Sequence, residues 1–141
     1  MKDITIKIVG KQVYADHEEE QLEFVTDAKL YQKKDAVYIM YEETELSGMK
    51  GCMTTLKLAG ETLRMKRIGQ AGFNSELYFE KDQRFSSTYS TPYGPMDVEV
   101  LTRSVDIQFD METFQGDIDI YYDVSLQGMA EGKSRIAIKV M

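Results

Sequence analysis

The run R-F-S-S-T-Y-S-T-P-Y-G-P-M at residues 84–96 holds both prolines of the chain. Within it, Thr91-Pro92-Tyr93-Gly94 is a turn signal, because proline presets φ at the first central position and glycine suits the residue that leaves the turn. Phe85, Ser87 and Tyr89 alternate before the turn, and Met96, Val98 and Val100 alternate after it. The segment predicts a β-hairpin with a rigid tip. Its second arm runs on to residue 109, but the apolar positions there are Val105, Ile107 and Phe109, of the opposite parity. A parity change inside one strand means an inserted residue, so a bulge is expected near Thr102-Arg103-Ser104.

The same period of two recurs on both sides of the hairpin. Ile118, Ile120, Tyr122, Val124 and Leu126 alternate with Asp117, Asp119, Tyr121 and Asp123, and Ile136, Ile138 and Val140 form a closing strand after a loop from Gly128 to Gly132. Gln115-Gly116 reads as the turn between the hairpin arm and residues 117–126. At the start, Ile4, Ile6 and Ile8 face away from Thr5 and Lys7; Gly10 is expected to end that strand, and residues 11–20 to form a polar loop. Residues 22–33 read as a strand with a bulge near Asp27, followed by a tight turn at Lys33-Lys34-Asp35 and a strand over 36–46. Gly48-Met49-Lys50-Gly51, Ala59-Gly60, Gly69-Gln70-Ala71-Gly72 and Lys81-Asp82 then separate strands over 52–58, 61–68, 76–80 and 83–91.

No segment carries apolar residues at spacings of three and four over a dozen positions, so no long helix is expected. About nine or ten strands joined by short turns predict an up-and-down antiparallel sheet. Such a sheet must curl or split to bury its apolar face, and closure removes its edges. The expectation is an all-β chain, one antiparallel barrel over residues 1–141 with about 8–10 strands. A two-sheet sandwich would need longer connections. The expected inward set includes Ile39, Leu63, Met65, Val98, Val100, Ile118, Ile120 and Ile138.

The 141 residues suffice for one core without disulfides or metals. With 17 basic and 24 acidic residues the net charge is −7, a poor match to nucleic-acid phosphates or anionic lipid surfaces, so neither partner is expected. Cys52 is the single cysteine, which excludes an internal disulfide, and it reads as a semi-buried strand thiol. One cysteine and one histidine, His17, cannot make a zinc site, and no cofactor is expected. The acid at Asp3 and the lack of a long apolar run argue against a signal peptide or spanning helix, and a cytoplasmic location is expected.

Thr54-Thr55-Leu56-Lys57, Met65-Lys66-Arg67-Ile68-Gly69, Arg84-Phe85, Tyr89-Ser90-Thr91-Pro92-Tyr93-Gly94, Thr102-Arg103 and the strand 116–122 follow one another in a characteristic order. Together they resemble a family of uncharacterised bacterial proteins, mostly from low-GC Gram-positives, described as a domain of unknown function with a calycin-like (lipocalin-like) β-barrel. The resemblance covers nearly the whole chain. It implies the fold and a cytosolic single-domain protein; it brings no activity and no catalytic residue.

One residue stands out chemically. Arg67 has the parity of Leu63 and Met65, so an unbroken strand points it at the apolar face, where a charge is costly unless paired. Tyr89, Thr102 and Tyr122 are the expected partners, with Tyr93 at the rim. Either these residues form a structural network near a barrel end, or they are the polar handle of a ligand pocket. The expected ligand is small and amphipathic, with an anionic head for the guanidinium. The rival reading is an interaction module: a filled barrel, Arg67 neutralised by a protein carboxylate, and a protein partner or homodimer outside. Arg84, of opposite parity to Phe85, is expected on the outer face. No acid–base pair, phosphate loop or nucleophile motif stands out, so no enzymatic activity is expected.

Overall fold

The computed structural model describes residues 1–14, 19–43, 51–69, 74–91, 94–126 and 130–141. They form ten strands: β1 (Lys2–Tyr14), β2 (Glu20–Lys33), β3 (Ala36–Glu42), β4 (Met53–Ala59), β5 (Thr62–Ile68), β6 (Asn74–Phe79), β7 (Arg84–Thr91), β8 (Gly94–Asp110), β9 (Gln115–Leu126) and β10 (Ala130–Val140). Each pairs antiparallel with its neighbours in sequence, and β1 also pairs with β10, which closes the barrel. The up-and-down barrel that the alternation predicts is the architecture observed. Among the described residues no helix is long and apolar enough to cross a membrane.

Side-chain alternation sorts the two faces. All of the expected inward residues, from Ile39 to Ile138, are buried, beside Ile6, Leu56, Phe79 and Val140. The outer face carries cross-strand ion pairs: Lys7–Glu23, Arg84–Glu99, Arg103–Asp123 and Arg135–Asp119. Arg84 is thus outside, as its parity predicts. The register between β8 and β9 shifts between Thr102 and Ser104, so Arg103 is the inserted residue. Inward parity passes there from Val98, Val100 and Thr102 to Val105, Ile107 and Phe109.

Four local expectations are corrected. β1 does not stop at Gly10 but continues to Tyr14, with Gly10 paired to Leu22 on one side and Ile136 on the other. The ladder joins backbones, so two flanking strands carry the chain through a residue with no side chain to pack. β2 has no bulge at Asp27: its pairing to β1 runs unbroken from Lys2↔Leu30 to Gln12↔Glu20. Thr26 and Ala28 hold the parity of Phe24 and Leu30; being small, they thin the apolar pattern without interrupting it. The turn before β9 falls at residues 111–114, where Phe114 has a positive φ of 57°. Gly116 lies inside the strand, where a Cβ would come within 2.3 Å of the Gln108 carbonyl oxygen. Finally, β10 already includes Gly132. His17, Gly48-Met49-Lys50, Gln70-Ala71-Gly72, Pro92, Tyr93 and Gly128 lie outside the described residues.

Two irregularities interrupt the evenness of the barrel wall. The β2–β3 ladder ends at Lys29↔Met40, so residues 20–28 of β2 pair with β1 alone among the described residues. Leu22 and Phe24 therefore stand beyond the end of that ladder. Among the described residues β6 and β7 share a single rung, Asn74↔Ser90. The turn between them closes with the Gln83 amide donating to the Glu80 carbonyl at 3.0 Å and is also tied to β8: the Asp82 amide donates to the Thr102 carbonyl at 2.9 Å, and the Thr102 amide to the Gln83 carbonyl at 3.2 Å.

Gly94 opens β8 with φ +115°, a backbone conformation that side chains with a Cβ rarely adopt. Gly94→Val should therefore lose about 1–3 kcal/mol to strain. Lys81→Val, in an exposed turn, should stay within about 0.5 kcal/mol of the parent. Urea midpoints compare the two directly, and equal midpoints would refute the assignment of strain to Gly94.

Candidate functional site

Arg67 sits one residue from the end of β5, on the inward parity of Leu63 and Met65, and its side chain is 22% exposed. Its partner is Glu43, whose side chain is 1% exposed; Arg67 Nε lies 3.4 Å from Glu43 Oε1. Glu43 follows β3 on the parity of Ile39 and Tyr41, and its amide donates to the Cys52 carbonyl at 2.8 Å, which fixes the residue beside the start of β4. There the buried Thr54 hydroxyl donates to the same Oε1 at 2.6 Å. At these distances Thr54 is the closer partner and the guanidinium supplies a longer-range charge balance. Burial, and then the Glu43 carboxylate, push the Tyr41 hydroxyl well above the ordinary phenol range, which keeps it neutral.

The guanidinium thus meets Glu43 and its neighbours Tyr41 and Thr54, not the tyrosines and threonine expected from sequence. Tyr122 lies farther along the interior, its ring 4.8 Å from that of Phe79. Thr102 and Ser134 flank Tyr122 in register on β8 and β10. Both are buried, and their hydroxyl oxygens have no hydrogen-bond partner among the described residues. Tyr89 belongs to β7 opposite Met96, but its side chain, like Tyr93 as a whole, lies outside the described residues.

A cavity of about 400 Å³ links these parts. Ile8, Phe24, Met65, Leu77, Ile136 and Ile138 supply apolar lining, Glu43, Arg67, Tyr122 and Gln12 supply polar groups, and Lys11, Glu20, Gln21 and Arg135 line it as well. Two of the sequence-selected residues, Arg67 and Tyr122, therefore share one cavity. Gly10 lines it too, and a Cβ added there would meet nothing within 4 Å. Sequence reasoning passed over Glu43 and Gly10. The signal for Glu43 was present, since Ile39, Tyr41 and Glu43 continue one inward parity. A furrow of about 640 Å³ on the outer face is lined by Arg84, Glu99, Arg103 and Asp123, whose charges already pair with one another. No cluster of metal-ligating side chains occurs among the described residues.

No curated protein matches the chain in sequence. In structure it is similar to the ywiB protein from Bacillus subtilis, with a TM-score of 0.79 and 23% identity over 97% of this chain and 90% of that one. A likeness at that identity speaks for the fold, which the two share. The family described as "Domain of unknown function (DUF1934)" matches residues 6–138, so nearly the whole barrel is the family's unit, and the chain belongs to that family.

Proposed function

We propose that the barrel binds a small amphipathic molecule in the cavity beside Glu43 and Arg67, and that its role is binding and not catalysis. The carrying observation is the cavity itself, lined by apolar side chains together with Glu43 and Arg67 of the charged, hydrogen-bonded cluster they form with Thr54. That combination suits a ligand with a hydrocarbon body and one polar end. Gly10 supports the reading, because it withholds a side chain at a position where one would fit. Arg67 alone pointed to an anionic head, but Glu43 beside it weakens that choice by neutralising the guanidinium.

Filling the cavity tests the reading. Gly10→Leu should raise stability by about 0.5–2 kcal/mol, since it fills space and reduces the freedom of the unfolded chain. The same variant should lose the thermal stabilisation that an amphipathic probe such as hexanamide or hexylammonium confers on the parent by mass action. Undiminished stabilisation of the leucine variant would place probe binding elsewhere.

A second reading rests on one observation. Residues 20–28 of β2 offer a backbone edge paired only to β1 among the described residues, and Val25 on that edge is 58% exposed. A protein partner that adds a strand would use such an edge. The cavity, with its built polar cluster, is the better supported of the two.

A further inference from the structure

Glu43 carries more information than its pairing with Arg67. The hydrogen bonds from the Thr54 hydroxyl and the Arg67 guanidinium both go to Oε1, and the Tyr41 hydroxyl interacts with the same carboxylate. Oε2 is buried and has no hydrogen-bond partner among the described residues, and Glu43 lines the cavity. A buried carboxylate oxygen without a donor is costly, more so than a neutral carbonyl in the same place. The site therefore presents an unfilled acceptor, not an unfilled cation.

We propose, resting on the cavity as the ligand site, that the ligand's polar end is a hydrogen-bond donor, an amine or amide N–H directed at Glu43 Oε2, and that a carboxylate head is rejected. The charges beside Oε2 decide the sign; Lys11, Glu20 and Arg135 also line the cavity, with Arg135 paired to Asp119. Arg67 would welcome an anion only if it were alone, but Glu43 stands 3.4 Å from it and is the more deeply buried of the two. An incoming carboxylate would meet the bare Oε2 as a like charge without a shared proton. An N–H donor meets it as a charge-assisted partner and supplies the hydrogen bond that Oε2 lacks. Thr102 and Ser134 beside Tyr122 leave further polar atoms unsatisfied in the same interior, which agrees with a polar complement the protein does not itself supply.

Three probes of six carbons each separate the possibilities: hexanoate, hexanamide and hexylammonium, compared by thermal shift and calorimetry on the full chain. Hexanamide and hexylammonium should stabilise the protein and bind at least tenfold more tightly than hexanoate. Glu43→Gln keeps an oxygen for Thr54 and Arg67 but can place an NH2 donor where Oε2 was, so hexanoate should gain and hexylammonium lose, with hexanamide, which can turn its carbonyl to the new donor, changing least. Should that variant fail to fold, the ranking on the parent protein decides alone. A preference of the parent for hexanoate would overturn the donor assignment while leaving the cavity as a ligand site. No response to any of the three would retire the cavity reading together with this inference.

Discussion

Phe79→Ala should lower stability by about 3–5 kcal/mol, the largest effect expected of a single core truncation here. Phe79 ends β6, is 0% exposed, and packs against Leu63 across the β5–β6 ladder and against the Tyr122 ring. Removing the ring empties one of the largest fully buried side-chain volumes in the barrel, and flanking strands locked into ladders collapse only partly onto the gap. The shift of the urea midpoint, with an unchanged slope, measures the loss. Val25→Ala, at an exposed site on β2, is the matched control and should stay within about 0.5 kcal/mol. A loss below about 1 kcal/mol for Phe79→Ala would mean that the interior repacks freely, contrary to a close-packed core.

Arg67→Met should cost about 3 kcal/mol, the lower part of the range for breaking a buried ion pair, because the guanidinium is partly in water while its partner is not. The asymmetry is the sharper test. Arg67→Met strands a carboxylate at 1% exposure, whereas Glu43→Leu leaves a cation that can turn toward solvent, so the arginine variant should be the less stable of the two. Adding Glu43→Leu to Arg67→Met should then recover part of the loss, giving a coupling energy of about 1 kcal/mol or more in the cycle. Additive effects would show that Arg67 and Glu43 stand side by side without sharing energy.

Where the sequence was legible, a single rule of alternation was enough. The bulge at Arg103 could be located because apolar residues on both sides, Val100 and Val105, are large enough to declare their parity. The rule failed where inward positions are small or polar. Gly10 and Gln12 continue the inward row of β1 past Ile8, yet they look like the end of a strand because they line a cavity and not a core. Thr26 and Ala28 imitate a bulge for the same reason. Phe114 hid a turn by placing an apolar side chain in a left-handed conformation that sequence assigns first to glycine or asparagine. Arg67 was singled out correctly as an inward charge. Its partner was missed because sequence separation conceals that β3 and β5 both flank β4, which brings Glu43 and Arg67 to one end.

The lone rung between β6 and β7 changes the character of the closed ring. A sheet whose ladders were equally strong all the way round would have to unravel as a whole; this one resembles a bracelet with a clasp. The clasp consists of Asn74↔Ser90, a Tyr78–Phe85 ring contact at 6.1 Å and the Gln83–Glu80 turn hydrogen bond, with the turn also anchored on β8. Unfastening it breaks little hydrogen bonding and leaves nine other ladders intact, so opening into a C-shaped form should cost less than global unfolding. Leu77 of β6 is part of the cavity wall, so each such excursion moves a wall of the chamber as well as a seam of the sheet. For the ligand proposed above, the clasp would then meter the time spent inside, and tightening it would slow both arrival and departure while leaving the final occupancy unchanged.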